Sequence, residues 1–182
     1  MRISVITVCF NAAATLSDAV QSVFTQVPSP DAPFDLEYIV VDGGSTDGTL
    51  DVLAPFRDRI ATLISEPDRG LYDAMNKGIR AATGDVVAIL NADDVYASND
   101  VLARVAETFN SSGAAAVYGD LNYVEADDLS RVIRRWRAGT YSPGAFRRGW
   151  MPPHPALFVQ RTCYKRWGMF SLSLRSAADY EL

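Results

Sequence analysis

Asn91, Asp93 and Asp94 lie in the run V-V-A-I-L-N-A-D-D-V-Y, residues 86–96. Residues 86–90 are apolar without alternation, the pattern of a strand covered on both faces. The acidic pair therefore falls at a strand's C-terminal end, where open α/β sheets bind ligands. Adjacent carboxylates repel, and a divalent cation with oxygen ligands is one arrangement that relieves them. A helix cap or a turn is the other reading. Asp42 closes a second apolar run, residues 36–41, and G-G-S-T-D-G follows it. An Asp there can accept from a base N–H or a ribose hydroxyl, and the glycines let backbone approach a ligand. Here too a plainer reading stands: a tight turn, with Ser45 or Asp47 capping the next helix. His154 is the one histidine in the chain, so a multi-histidine metal site is excluded.

These side chains need a scaffold, and the spacing of apolar residues supplies one. Residues 3–10, 36–41, 59–64 and 86–90 read as strands. Leu16, Ala19, Val20, Val23 and Phe24 form one helical stripe. Leu71, Ala74, Met75, Gly78, Ile79 and Ala82 form another. A shorter helix is expected over residues 49–56, and Gly84 is expected to stop the 71–82 helix in a left-handed conformation. Alternation of strands and helices predicts an α/β fold, a mostly parallel central sheet with helices on both faces. Strands one, two and four would then bring Asn11, Asp42 and Asp93 to one edge, around a nucleotide-sized cleft.

Further on, Val101, Leu102, Val105, Ala106 and Phe109 give a buried helical face, with strands expected at 114–118 and 121–124. The basic segment 131–137 alternates imperfectly. Residues 139–153, rich in aromatics, glycine and arginine, read as a long functional loop. P-H-P precedes a strand-like A-L-F-V, then a short helix over 161–167. The final A-A-D-Y-E-L reads as the start of a helix that is cut short.

The totals fit one domain over residues 1–182 with a sizeable core. A net charge of −5 gives no bulk electrostatic case for nucleic acid. No apolar run reaches the length of a membrane span, and no signal peptide is read at the start. Cys9 and Cys163 lack metal-ligand spacing, so a reduced, cytoplasmic setting is expected. G-G-S-T-D-G is neither a dinucleotide fingerprint nor a P-loop. F-N-A-A-A-T lacks the Gly-rich, basic loop that a nucleotidyltransferase needs to hold a triphosphate.

Four segments, in order and spacing, resemble glycosyltransferase family 2: I-T-V-C-F-N, I-V-V-D-G-G-S-T-D-G-T, S-E-P-D-R-G-L-Y-D-A-M-N-K-G-I-R-A-A-T-G-D and I-L-N-A-D-D. The third is close to a form seen in bacterial polysaccharide-assembly transferases such as those for colanic acid and O-antigen. The resemblance implies a Rossmann-like GT-A fold, with residues 1–96 as the nucleotide-sugar half and 97–182 as an acceptor half truncated at its C-terminus. It implies an inverting transferase that takes a sugar from a nucleoside diphosphate, UDP or GDP, to a glycan or lipid-linked acceptor. A sugar-nucleotide binding module without catalysis is the competing expectation.

By the same resemblance, Thr7, Asn11 and Asp42 line the nucleotide pocket, and Asp68 and the segment to Lys77 lie near base and ribose. Asn91, Asp93 and Asp94 stand in place of the family's D-x-D, with Asn91 a departure at the first acidic position. Asp93 becomes the leading ligand of a divalent cation, Mn2+ or Mg2+, with Asp94 beside it. Asp179 stands where the family has its catalytic base; without the family it reads as a carboxylate at a helix N-terminus. His154 could contact acceptor or diphosphate. Arg135, with Arg134 and Arg137, could grip an acceptor phosphate or form a solvated basic strand face. Peripheral association with the inner face of the cell membrane is expected through the acceptor.

Overall fold

The computed structural model describes residues 1–174 and 178. Four strands, β1 (Arg2–Cys9), β2 (Asp35–Asp42), β3 (Thr62–Ser65) and β4 (Val86–Asn91), run parallel in the order β3-β2-β1-β4. Helices α1 (Leu16–Phe24), α2 (Thr49–Leu53) and α3 (Leu71–Ala81) are the crossovers between them. After α4 (Val101–Ser112) come β5 (Ala116–Tyr118), a hairpin of β6 (Leu121–Val124) and β7 (Val132–Trp136), then β8 (Leu157–Gln160) and α5 (Arg161–Trp167). Strand β8 enters the sheet between β4 and β5 and runs antiparallel to both. The basic segment expected to alternate imperfectly is β7, paired with β6 in a separate two-stranded sheet.

Strand parity divides the core. Ile3 and Val5 of β1, Tyr38 and Val40 of β2 and Val86, Ala88 and Leu90 of β4 pack under α1, α2 and α4. Ile6 and Val8, Ile39 and Val41, and Val87 and Ile89 pack under α3 and α5. Both faces of β1, β2 and β4 are therefore covered, as their mostly apolar runs require.

Two expectations are corrected. The helix expected over 49–56 ends at Leu53 and tightens into a 3-10 turn, Ala54–Arg59, which carries Pro55 in its first turn; β3 consequently starts at Thr62. Gly84 is not left-handed: α3 ends at Ala81, and Ala82 is already extended. Glycine is required there for space instead. A Cβ at Gly84 would lie 2.6 Å from Ser4 Oγ and 2.8 Å from the Arg2 carbonyl oxygen.

Gly78 is the counterpart on α3. A Cβ there would sit 2.4 Å from Cγ2 of the fully buried Ile6. Helix propensity favours alanine over glycine by roughly 1 kcal/mol, whereas overpacking a core costs about 1–3 kcal/mol. Gly78→Ala should therefore lower the melting temperature by a few degrees; a rise would show that α3 can lift off the sheet at no cost. Among the described residues, no helix is long and apolar enough to cross a membrane.

Candidate active site at the C-terminal edge of the sheet

The acidic turn is built by the end of β4. Asp94 N–H donates to the Asn91 carbonyl oxygen at 3.1 Å, closing the turn. Asn91 Nδ2 donates to Asp94 Oδ2 at 2.9 Å. Asp93, between them in the turn, is exposed. Burial pushes the Asp94 carboxyl above its ordinary range; the Asn91 hydrogen bond opposes this and the Asp93 charge adds to it. Asn91 Oδ1 is buried without a hydrogen-bond partner. An orphaned oxygen acceptor beside two carboxylates is a donor set that suits a hard divalent cation. Among the described residues no three His, Cys, Asp or Glu side chains converge.

Asp42 braces the loop that follows it. It is 0% exposed. Its carboxylate accepts from the N–H groups of Gly44 and Ser45, from the Ser45 hydroxyl and from Ser65 Oγ at 2.7 Å. The loop that follows is fixed from the other side by Asn11, whose Oδ1 accepts from Thr46 N–H at 3.0 Å. Asn11 N–H donates to Ser45 Oγ at 2.8 Å. Asn11 itself is left-handed, at φ 49°. Asp47 accepts from the N–H of Thr49 at the start of α2 and from Ala13 N–H. Asp42 and Asn11 therefore shape the loop that follows β2.

Thr7 departs from its expected place in the pocket. It is 0% exposed, and its Oγ1 accepts from Tyr38 Oη at 2.9 Å. It shares the parity of Ile3 and Val5, which points it under α1. The residue at this edge that sequence reasoning missed is Phe10, 63% exposed just beyond β1. A Cβ on Gly43 would lie 3.4 Å from its ring and 2.5 Å from Asp68 Oδ2. Phe10, Gly43 and Asp68 are thus one cluster, and Gly43 is the space between the other two. Its sequence signal was a lone aromatic directly after a buried strand. Cys9, beside it, is buried; that burial and the Asp42 charge push its thiol up to about 12, so it is inert.

Asp68 also accepts from Gly70 N–H at 2.8 Å. Lys77 anchors the same segment from α3: its Nζ donates to the Pro67 carbonyl oxygen at 2.9 Å and pairs with Glu66 at 2.9 Å. Lys77 is therefore committed to holding the loop that carries Asp68. Ala178, the residue before Asp179, is buried, and its N–H donates to Tyr72 Oη. Asp179 lies outside the described residues.

His154 opens a 3-10 turn, His154–Ala156, packed against β4. The turn leads directly into β8, whose Phe158 pairs with Ala88 of β4. The His154 ring meets Phe170 edge-on, centroids 5.6 Å apart. Phe170 is in turn held by two hydrogen bonds to Asn76 of α3. His154 also lines an apolar cavity of about 240 Å³ between the β4–β8 face and α5, with Phe146 and Trp167 among its walls. Arg135 lies apart from this cluster, exposed on β7 opposite Asn122.

A parallel sheet with an acidic turn and an aromatic–acidic cluster at the C-terminal edge, extended by an antiparallel strand, is the GT-A architecture. Solved GT-A structures superpose accordingly. A mannosyltransferase from Pyrobaculum calidifontis in complex with GDP-Man and Mn2+ matches with a TM-score of 0.69 at 23% identity, covering 95% of this chain and 48% of that one. TarS of S. aureus in complex with UDP-GlcNAc matches at 0.74 and 20% identity, covering 99% and 51%. The chain belongs to Glycosyl transferase family 2, whose profile matches residues 4–171. PGL/p-HBAD biosynthesis glycosyltransferases of Mycobacterium bovis and Mycobacterium tuberculosis are 32% identical over 189 aligned residues, covering 98% of this chain and 66% of theirs. An uncharacterized glycosyltransferase of Nostoc is 37% identical over 131 residues, 70% of this chain and 39% of its own length. The chain thus spans about two thirds of the length of its mycobacterial relatives and about half that of the solved structures.

Proposed function

We propose that this chain carries the donor half and part of the acceptor half of an inverting glycosyltransferase that uses a nucleoside diphosphate sugar. The observation that carries the reading is the acidic turn at the end of β4, one strand from Phe10 and Asp68. Charge-bearing and ring-stacking groups stand at the C-terminal ends of neighbouring strands β1 and β4. Phe10 offers its face to the base, Asp68 accepts from base or ribose, and the Asn11-braced loop forms the floor. Asp93, with Asp94 and Asn91 behind it, would hold a divalent cation, which when bound supplies Lewis-acid stabilisation of charge on the departing diphosphate.

The acceptor enters from the side of His154. Its hydroxyl oxygen attacks the anomeric carbon as the bond to the diphosphate oxygen breaks, so one displacement inverts the configuration. The hydroxyl proton passes to a carboxylate, the role assigned to Asp179, worth about 10²–10⁴-fold. His154, packed on β4 and against Phe170, orients the acceptor or the diphosphate. Polysaccharide or glycolipid assembly is the setting this reading favours, since the similar mycobacterial proteins carry biosynthesis names.

Thermal-shift measurements with UDP, GDP, CDP and dTDP, with and without Mn2+, test the donor half. One nucleotide should stabilise the protein, and Mn2+ should enlarge the shift; at a hundred times Kd the gain is about 2.7 kcal/mol. Phe10→Ala should weaken that nucleotide about tenfold or more, since base stacking on an aromatic is worth roughly 1–3 kcal/mol. No shift with any nucleotide would sink the donor assignment. Binding without transfer would leave a sugar-nucleotide binding module.

A further inference from the structure

Charge is segregated along this chain to a degree that its net value conceals. Residues 1–128 hold twenty Asp and Glu against seven Lys and Arg, a net of −13. Residues 129–174 hold nine Lys and Arg and no Asp or Glu. Among the described residues, the ion pair Arg131–Glu125 is the one that reaches into this stretch. Arg147, Arg148, Lys165 and Arg166 are all exposed.

Those four cations share a place. Phe146, which directly precedes Arg147 and Arg148, and Trp167, which directly follows Lys165 and Arg166, line the same cavity. Phe146 is 41% exposed and Trp167 63%. The Arg166 guanidinium lies over the Trp167 ring, 5.0 Å from its centroid. The rim is stiff on the Phe146 side, where that ring packs edge-on against Trp150 and Trp150 Nε1 donates to the Ala138 carbonyl oxygen at 2.7 Å.

We propose that this rim docks on an anionic lipid surface. Cations crowded without counter-charge are unfavourable in water and favoured at phosphate headgroups, at about 1 kcal/mol, or roughly fivefold, for each basic side chain. Exposed aromatic rings flanked by cations fit the same interface, where Trp prefers the headgroup level. Residues 1–128, at −13, are repelled by such a surface. The two effects orient the molecule, so a net negative protein binds a negative membrane by one face. A lipid-borne acceptor would then reach the cavity from the bilayer. The docking itself does not depend on the transferase reading, and its test contains no sugar nucleotide.

Co-sedimentation with phosphatidylcholine vesicles, and with vesicles of phosphatidylcholine and phosphatidylglycerol in equal parts, reads it directly. The protein should bind the mixed vesicles, release in high salt and leave the neutral ones unbound. Arg147→Ser with Arg148→Ser should weaken binding by about tenfold or more, as should Lys165→Ser with Arg166→Ser. Arg80→Ser with Arg104→Ser, exposed cations within residues 1–128, should change nothing. Trp167→Ser should weaken binding and remove part of the blue shift in tryptophan emission. Equal affinity for both vesicle types, equal loss in the Arg80 and Arg104 control, or an unaffected Trp167→Ser variant would each overturn the proposal. So would binding to soluble polyphosphate with none to vesicles, which would mark a polyanion site instead.

Discussion

Asp93→Ala should cut sugar transfer by about 10²–10³-fold and abolish its dependence on Mn2+, with the melting temperature unchanged. The size follows from removing one preorganised electrostatic stabiliser of a developing negative charge. The separation of activity from stability follows from the turn itself. Asp93 is exposed, whereas the bonds that close the turn belong to its neighbours: Asp94 N–H to the Asn91 carbonyl oxygen, and Asn91 Nδ2 to Asp94 Oδ2. Removing the Asp93 carboxylate leaves both in place. Asp94→Ala would be a poorer probe, because it frees Asn91 Nδ2 as well as deleting charge. Initial rates across a Mn2+ titration, together with melting curves, check the point. Undiminished Mn2+ dependence in Asp93→Ala would remove this residue from the diphosphate site.

What the sequence revealed of this edge, and what it hid, follow the same physics. Mostly apolar runs located β1, β2 and β4, because burial on both faces leaves few polar positions, and the acidic turn came with β4. Side-chain direction was harder. Thr7 and Phe10 are three residues apart, one buried under α1 and the other exposed beyond the strand. The deciding factor is where β1 ends, at Cys9. Asp42 could serve a ligand or a turn, and its hydrogen bonds from Gly44, Ser45 and Ser65 make it a brace of the turn whichever else it does. The antiparallel entry of β8 between β4 and β5 was not legible at all, since pairing of Phe158 with Ala88 is a non-local choice that no local propensity encodes. The basic stretch, residues 129–174, was fully legible but lost in a net charge of −5: summation over the chain erased a contrast that only a division of the chain displays.

At the opposite edge of the sheet the largest stability effect is expected, from Glu37→Ala, at about 3–5 kcal/mol. Glu37 is 4% exposed on β2. It accepts from Ser4 Oγ on β1, from Thr83 N–H at 2.8 Å and Oγ1 at 2.6 Å, and from Gly84 N–H at 3.2 Å. Arg2 Nη2 lies 3.2 Å away. One carboxylate therefore joins two strands to the turn between α3 and β4, and the close approach that excludes a Cβ at Gly84 makes its N–H reachable. Alanine would strand these donors, and glutamine would turn an amide N–H toward them, so Glu37→Gln should also destabilise. The pH dependence has a fixed sign. Burial pushes the carboxyl up, but the hydrogen bonds from Ser4 and Thr83 and the Arg2 charge outweigh it and hold it below its ordinary range. A group with a depressed folded pKa stabilises fully above its unfolded value, about 4.3 for Glu, and loses that contribution as pH falls through the folded value. The stability gap between wild type and Glu37→Ala, from urea melts, should therefore be constant near neutrality and narrow below about pH 4. A gap that stays constant into acid would mean that the carboxylate charge contributes nothing, and that shape alone holds the turn.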